Sequence, residues 1–206
     1  MFWFIFIASI YLAILVLVSI FRPKAAPAER RVALVIGNST YKSPDLERLE
    51  KAAKDAAAIS CALKRLGFEV VNEDNLHNLD IERMRGELEK FKHKVGKVED
   101  KPRNAAWALV YYSGHGAELK WENYLIPIDA EPPRSADLQK QAVSVEKILE
   151  CMSGASKVRI VLLDACRTCG SPPNKYNDKL QDYTPMRPKY GEIVFLATRH
   201  NGGLSL

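Results

Sequence analysis

The 206-residue chain has only four cysteines: Cys61, Cys151, Cys166 and Cys169. Spaced irregularly in a chain this long, they do not form a disulfide scaffold, and they leave the redox compartment open. Internal repeats and low-complexity segments are missing, which excludes a repeat architecture. The net charge of +5 comes without any stripe of basic and aromatic residues. Basic and acidic side chains alternate instead, as in EKAAKDAAAISCALKR (50–65), the pattern of a solvated helix face. Nucleic-acid binding is excluded on that ground.

Charge itself is missing from residues 1–21, MFWFIFIASIYLAILVLVSIF. A helix of roughly 20 apolar residues spans a hydrocarbon core of about 30 Å. Arg22, Lys24, Arg30 and Arg31 follow the stretch, and no charged side chain precedes it. Ala26-Pro27-Ala28 could end a cleaved signal peptide that exports the domain to the periplasm. The apolar part is longer than the usual 7–15 residues, however, and lacks a basic start. An uncleaved anchor fits the length better; the positive-inside rule would then place the basic flank and the following domain in the cytoplasm, and the orientation stays open. The expected organisation is an anchor over 1–21, a Pro/Ala-rich linker over 22–30 and one domain over 31–206.

Within the domain, RVALVI (31–36) reads as a first strand closed by Gly37 and Asn38. The apolar period from Leu46 to Leu66 predicts a helix over 45–66, ended by Gly67. A strand over 68–72 follows, then a helix over 81–95 capped by Asp80. Further strands are expected over 105–112, 157–163 and 192–197, with a hairpin over 117–129 and a helix from Ser144 to Met152. The charged stretch 96–104 and the proline-rich stretch 167–190 read as loops. This alternation implies an α/β fold, a mostly parallel sheet with helices on both faces. Cys61 and Cys151 fall in the helical patterns beside apolar neighbours and read as small buried hydrophobes.

Two apolar runs carry the chemistry: ALVYYSGHG (108–116) and VRIVLLDAC (158–166). Both are rich in Val, Ile, Leu and Tyr without a helical period, as strands buried on both faces are. Ligands of open α/β sheets bind beyond the carboxyl ends of strands, and His115 and Cys166 are expected just past two such ends. A free thiol has a pKa of about 8.5, and a neighbouring imidazole favours the attacking thiolate. Acyl transfer also needs donors for the oxyanion, and the backbone N–H groups of Gly116 and Cys166 are candidates. Asp164 ends its strand two residues before the cysteine. A buried carboxylate there needs a partner, and a cationic substrate side chain would supply one.

In their order, VALVIGNSTY, KDAAAISCALKRLGFEV, YYSGHG with ENYLIPID, and VLLDACR resemble the caspase, metacaspase and paracaspase superfamily of cysteine peptidases. The resemblance covers roughly residues 31–200, and bacterial caspase-like proteins are most similar. It implies a caspase-hemoglobinase fold, a three-layer sandwich, and a catalytic dyad at His115 and Cys166. It implies the same oxyanion pair, Gly116 and Cys166. DAC rather than QAC further implies cleavage after Arg or Lys, with Asp55, Ser113 and Asp164 as walls of the basic-residue pocket. Asp55 also reads as a surface helix charge beside Lys51 and Lys54. Thr168 replaces the Gly of animal caspases, and Ala52 a Cys common in metacaspases. No paired-aspartate loop suggests a calcium site, so no metal or cofactor is expected.

The family pattern continues past EIVFLATRHNGG, whereas this sequence stops at Leu206. A truncated, non-catalytic interaction module that binds peptides is therefore the alternative to an endopeptidase acting on peptide or protein substrates. A further alternative is a subunit whose fold a partner chain completes. Cys169 forms a C-x-x-C with Cys166, but Gly170-Ser171-Pro172-Pro173 breaks the helix that a thioredoxin-like motif would start. A disulfide between the two that silences the thiol and a loop Cys169 without any role both remain open.

Overall fold

The structure, a computed structural model, describes residues 29–74, 76–97, 105–119, 121–131, 138–166 and 191–199. Residues 1–28, with the expected anchor, and the stretch 167–190, with Cys169, lie outside the described residues. Among the described residues, no helix is long and apolar enough to cross a membrane.

Among the described residues there are seven strands: β1 (Arg31–Gly37), β2 (Phe68–Val70), β3 (Trp107–Leu119), β4 (Glu122–Leu125), β5 (Val143–Ser144), β6 (Val158–Cys166) and β7 (Glu192–Arg199). The helices are α1 (Ala52–Arg65), α2 (Ile81–Val95), α3 (Leu138–Gln141) and α4 (Val145–Cys151). Five strands form a parallel sheet in the order β2-β1-β3-β6-β7. The far end of β3 leaves that sheet and pairs antiparallel with β4, which pairs antiparallel with β5. The predicted α/β architecture is thus present, with β3 at its centre.

Alternation along the strands divides the core. Val32, Leu34, Ile36, Val110 and Tyr112 pack on one side against Met84, Leu88 and Phe91 of α2 and Ile148 of α4. Ala33, Val35, Leu109 and Tyr111 face Ala56 and Leu63 of α1 on the other. The helices follow from their sequences. Asp80 caps α2 by accepting from Arg83 N–H at 2.9 Å, and buried residues recur at three- and four-residue intervals. Ser144 caps α4 in the same way, accepting from Lys147 N–H at 3.2 Å. Gly67, with φ at 78°, supplies the left-handed residue just past α1.

Several boundaries differ from the sequence reading. The first helix starts at Ala52, not at 45, because residues 45–51 spend their polar groups elsewhere. Leu49 N–H donates to Ser39 O at 2.8 Å, and Leu46 is buried against Tyr124 and Ile126. Strand β2 is shorter than 68–72, and β6 and β7 run further than expected. The strand expected to end at 112 continues through SGHG to Leu119, so His115 lies within β3, and Cys166 is the last residue of β6, rather than past their ends. Cys151 is buried, and burial pushes its thiol pKa up, but Cys61 points outward from α1 and is exposed. The short helix α3 carries too little periodicity to be foreseen.

One close approach sets the layer spacing between β1 and α1. A Cβ at Gly37 would lie 2.6 Å from both Ala52 O and Ala56 Cβ. Gly37→Ala is expected to lower stability by about 1–3 kcal/mol, the range for overpacking, as measured by urea unfolding. An unchanged midpoint would show that α1 shifts freely.

Candidate functional site

β3 and β6 pair without a break from Trp107↔Val158 to His115↔Cys166. His115 and Cys166 are therefore Cα partners on adjacent parallel strands, whose axes lie about 4.8 Å apart. Fifty residues of sequence separate them, and the register brings them together at one end of the sheet. β1 stops at Gly37, opposite Ser113, so β3 outlasts it by several residues on that side.

His115 is fully buried. Its Nε2 lies 2.8 Å from the carbonyl oxygen of Glu47, in the loop between β1 and α1. A carbonyl only accepts, so this contact requires a proton on Nε2, and the neutral ring then carries its lone pair on Nδ1. One ring nitrogen is thus held by a backbone oxygen, and that bond orients the imidazole. The same displacement of residues 45–51 that shortens α1 delivers Glu47 O to the ring.

The three predicted pocket residues converge on one phenol. Ser113 is the Cα partner of Asp164, and both follow Tyr111 and its partner Leu162 by two residues, on the α1 side of the sheet. Asp55 approaches from the first turn of α1. The pKa of buried Tyr111 is held above the ordinary tyrosine range, first by burial and then by the negative charges of Asp164 and Asp55. A hydrogen bond with Ser113 works in the opposite direction. Tyr111 thus stays a neutral phenol beside two carboxylates. Asp55 and Asp164 are each half-buried. Gly116 pairs with Leu125 of β4, just beyond His115.

Several site residues escaped the sequence reading. Tyr111 reads as one more apolar strand residue, and the Glu47 carbonyl has no sequence signature at all. Asn38 is another: it is fully buried, its Nδ2 donates to Ile126 O at 3.1 Å, and its Oδ1 accepts from Leu79 N–H at 2.9 Å. It ties the end of β1 to the chain returning from β4. A separate groove of about 480 Å³ opens between α2 and β4, lined in part by Arg85, Leu88, Tyr124, Val143 and Lys147. None of the predicted site residues lines it.

The family profile described as "Caspase domain" matches residues 30–201. The human mucosa-associated lymphoid tissue lymphoma translocation protein 1 is 29% identical over 154 residues, which are 74% of this chain and 16% of that protein. Its mouse homolog is 28% identical over a stretch of the same length and the same shares. The chain therefore spans 16% of the length of these curated relatives. A solved structure described as pro-sf-caspase-1 has a TM-score of 0.54 at 16% identity, covering 84% of this chain and 66% of that one. That likeness bears on the fold.

Asn38 generates a stability prediction. Asn38→Ala leaves Ile126 O and Leu79 N–H buried without these partners, so a loss of about 1–3 kcal/mol is expected in urea unfolding. A wild-type midpoint would mean that Asn38 does not tie the two segments.

Proposed function

The chain belongs to the caspase-domain family, and from that membership we propose that it is a cysteine endopeptidase cutting after Arg or Lys. The observation that carries this reading is the register of His115 with Cys166 at the end of β3 and β6. Cys166 is the nucleophile and His115 the proton carrier. The thiolate forms a bond to the scissile carbonyl carbon, and the carbonyl electron pair moves to oxygen. The N–H groups of Gly116 and Cys166 hold that oxyanion. Collapse of the adduct breaks the C–N bond, and the leaving amine takes a proton from the imidazolium of His115. Water then attacks the acyl thioester, giving a proton back to His115 and expelling the thiolate.

Selection of Arg or Lys rests on Asp55, Ser113 and Asp164, gathered about Tyr111. A guanidinium or ammonium entering there meets two carboxylates and a neutral phenol, and no third negative charge. In the same reading residues 1–21 anchor the domain at a membrane, and protein substrates are met at that surface. A carbonate wash that strips the chain from membranes would count against the anchor.

The test is cleavage of fluorogenic peptides ending in Arg, Lys or Asp by the 206-residue chain. Arg and Lys peptides are expected to be cut, and Asp peptides not. His115→Ala and Cys166→Ala should abolish turnover. Breaking a buried ion pair on one side costs about 3–5 kcal/mol, so Asp164→Ala should lower activity on Arg peptides by roughly a hundredfold or more. Full activity in Asp164→Ala would reject the pocket. A chain that binds Arg peptides without cutting them would be a peptide-binding module instead.

A further inference from the structure

The end of β1 leaves a gap that side chains fill. Asn38 N–H, just past the end of β1, donates to Ser113 O at 2.8 Å. Two residues on, the backbone of His115 faces the same side beyond the end of β1. A buried amide or carbonyl left unpaired is costly, and both groups of His115 are satisfied. His115 N–H donates to Tyr41 Oη at 2.8 Å. His115 O accepts from Tyr112 Oη at 2.7 Å and from Ile126 N–H at 3.0 Å. Tyr41 Oη donates in turn to Asn38 O at 3.2 Å. Its ring lies against the imidazole, with centroids 4.6 Å apart and planes tilted by 55°. The fit is tight: a Cβ at Gly114 would collide with Tyr112 Oη and lie 2.9 Å from Tyr41 Oη.

The loop carrying Tyr41 is itself pinned. Asn78 Oδ1 accepts from Ser39 N–H at 2.9 Å, Ser39 Oγ at 3.1 Å and Thr40 N–H at 3.0 Å. Asn78 does this from a left-handed backbone, with φ at 53°, a conformation that Asn tolerates better than most residues.

We propose that Tyr41 is a positioning residue for His115. Its hydroxyl stands in for the missing strand partner of the His115 amide, and its ring sets the plane of the imidazole. The ring nitrogen Nε2 is thereby kept on Glu47 O and Nδ1 in one direction. Tyr41 acts through the imidazole in this role. The inference rests on the reading of His115 as the proton carrier. Losing the hydroxyl lets the imidazole leave its productive orientation for part of the time, so turnover falls while the acidic pocket still binds substrate as before.

The experiment compares the full chain with Tyr41→Phe, Asn78→Ser and His115→Ala. It reads kcat and KM on an Arg-ended fluorogenic peptide, thermal unfolding, and the 15N spectrum of the imidazoles. Tyr41→Phe is expected to lower kcat by about tenfold with KM within about twofold, and to shift His115 away from the Nε2–H tautomer. Asn78→Ser, which loosens the loop without touching His115, is expected to give a weaker version of both changes and serves if Tyr41→Phe does not fold. Wild-type kcat and wild-type imidazole signals in the folded variants would overturn the proposal. Equal changes in kcat and unfolding with unmoved imidazole signals would also overturn it, since a merely structural role predicts that. If His115→Ala keeps wild-type activity, or the wild type cuts no peptide, the proton-carrier reading fails, and the imidazole spectrum still decides whether Tyr41 holds the ring.

Discussion

Everything at this site depends on β3 being longer than β1. The two strands pair from Arg31↔Trp107 to Gly37↔Ser113, and there β1 ends. β3 continues beside β6 to the level of Cys166, then bends away to pair with β4. Stopping β1 early frees the chain from Asn38 to Lys51 to fold over the exposed flank of β3, and that segment supplies Asn38, Tyr41 and Glu47 O. Letting β6 continue keeps His115 in register with the position of the cysteine. A β1 longer by two residues would satisfy the His115 amide with backbone and leave no path for the loop.

The electrostatics follow from the same register. Ser113 and Asp164 are adjacent because β3 and β6 pair without a bulge, and Tyr111 lies beneath them on the α1 side. Three ionisable groups of one sign in a small space would repel strongly if all were charged. Burial and the two carboxylates keep the phenol protonated, so the negative charge rests on Asp55 and Asp164. The tyrosine contributes area and a polar tip without adding to the repulsion.

The sequence was most informative where local rules and tertiary packing agree. Helix α2 was legible to the residue, because the Asp80 cap and the apolar period from Ile81 to Val95 specify the same element. The parallel sheet was legible from apolar runs without a helical period, and the pairing of His115 with Cys166 from their places in two such runs. Legibility failed where tertiary bonds displaced local preference. The helical period continues back to Leu46, yet Leu49 N–H and Glu47 O are engaged by Ser39 and His115 instead of by a helix. The glycines of SGHG read as the end of a strand, although here Gly114 makes room for two tyrosine hydroxyls inside one. Cys61 has apolar neighbours, but its place on the helix turns it to solvent. Tyr41 and Asn78 act across 74 and 39 residues, respectively, a range that no local pattern encodes.

Holding the imidazole of His115 inside a sheet rather than on a loop constrains how the site can move. The backbone of His115 is bonded through Tyr41, Tyr112 and Ile126 on one side and sits in the register with β6 on the other. Neither strand can separate from the other without breaking the central ladder of the fold, and cooperative ladders of this kind open last. Whatever moves at this site must therefore belong to elements other than β3 and β6. The imidazole has one softer connection, its bond to Glu47 O in the segment ahead of α1. That segment is carried by a hydrogen bond from Leu49 to Ser39 and by the burial of Leu46, not by a helix or a strand. Of the groups that orient His115, the Glu47 carbonyl is thus the one that local motion can withdraw, while Tyr41, pinned through Asn38 and Asn78, keeps the ring in place.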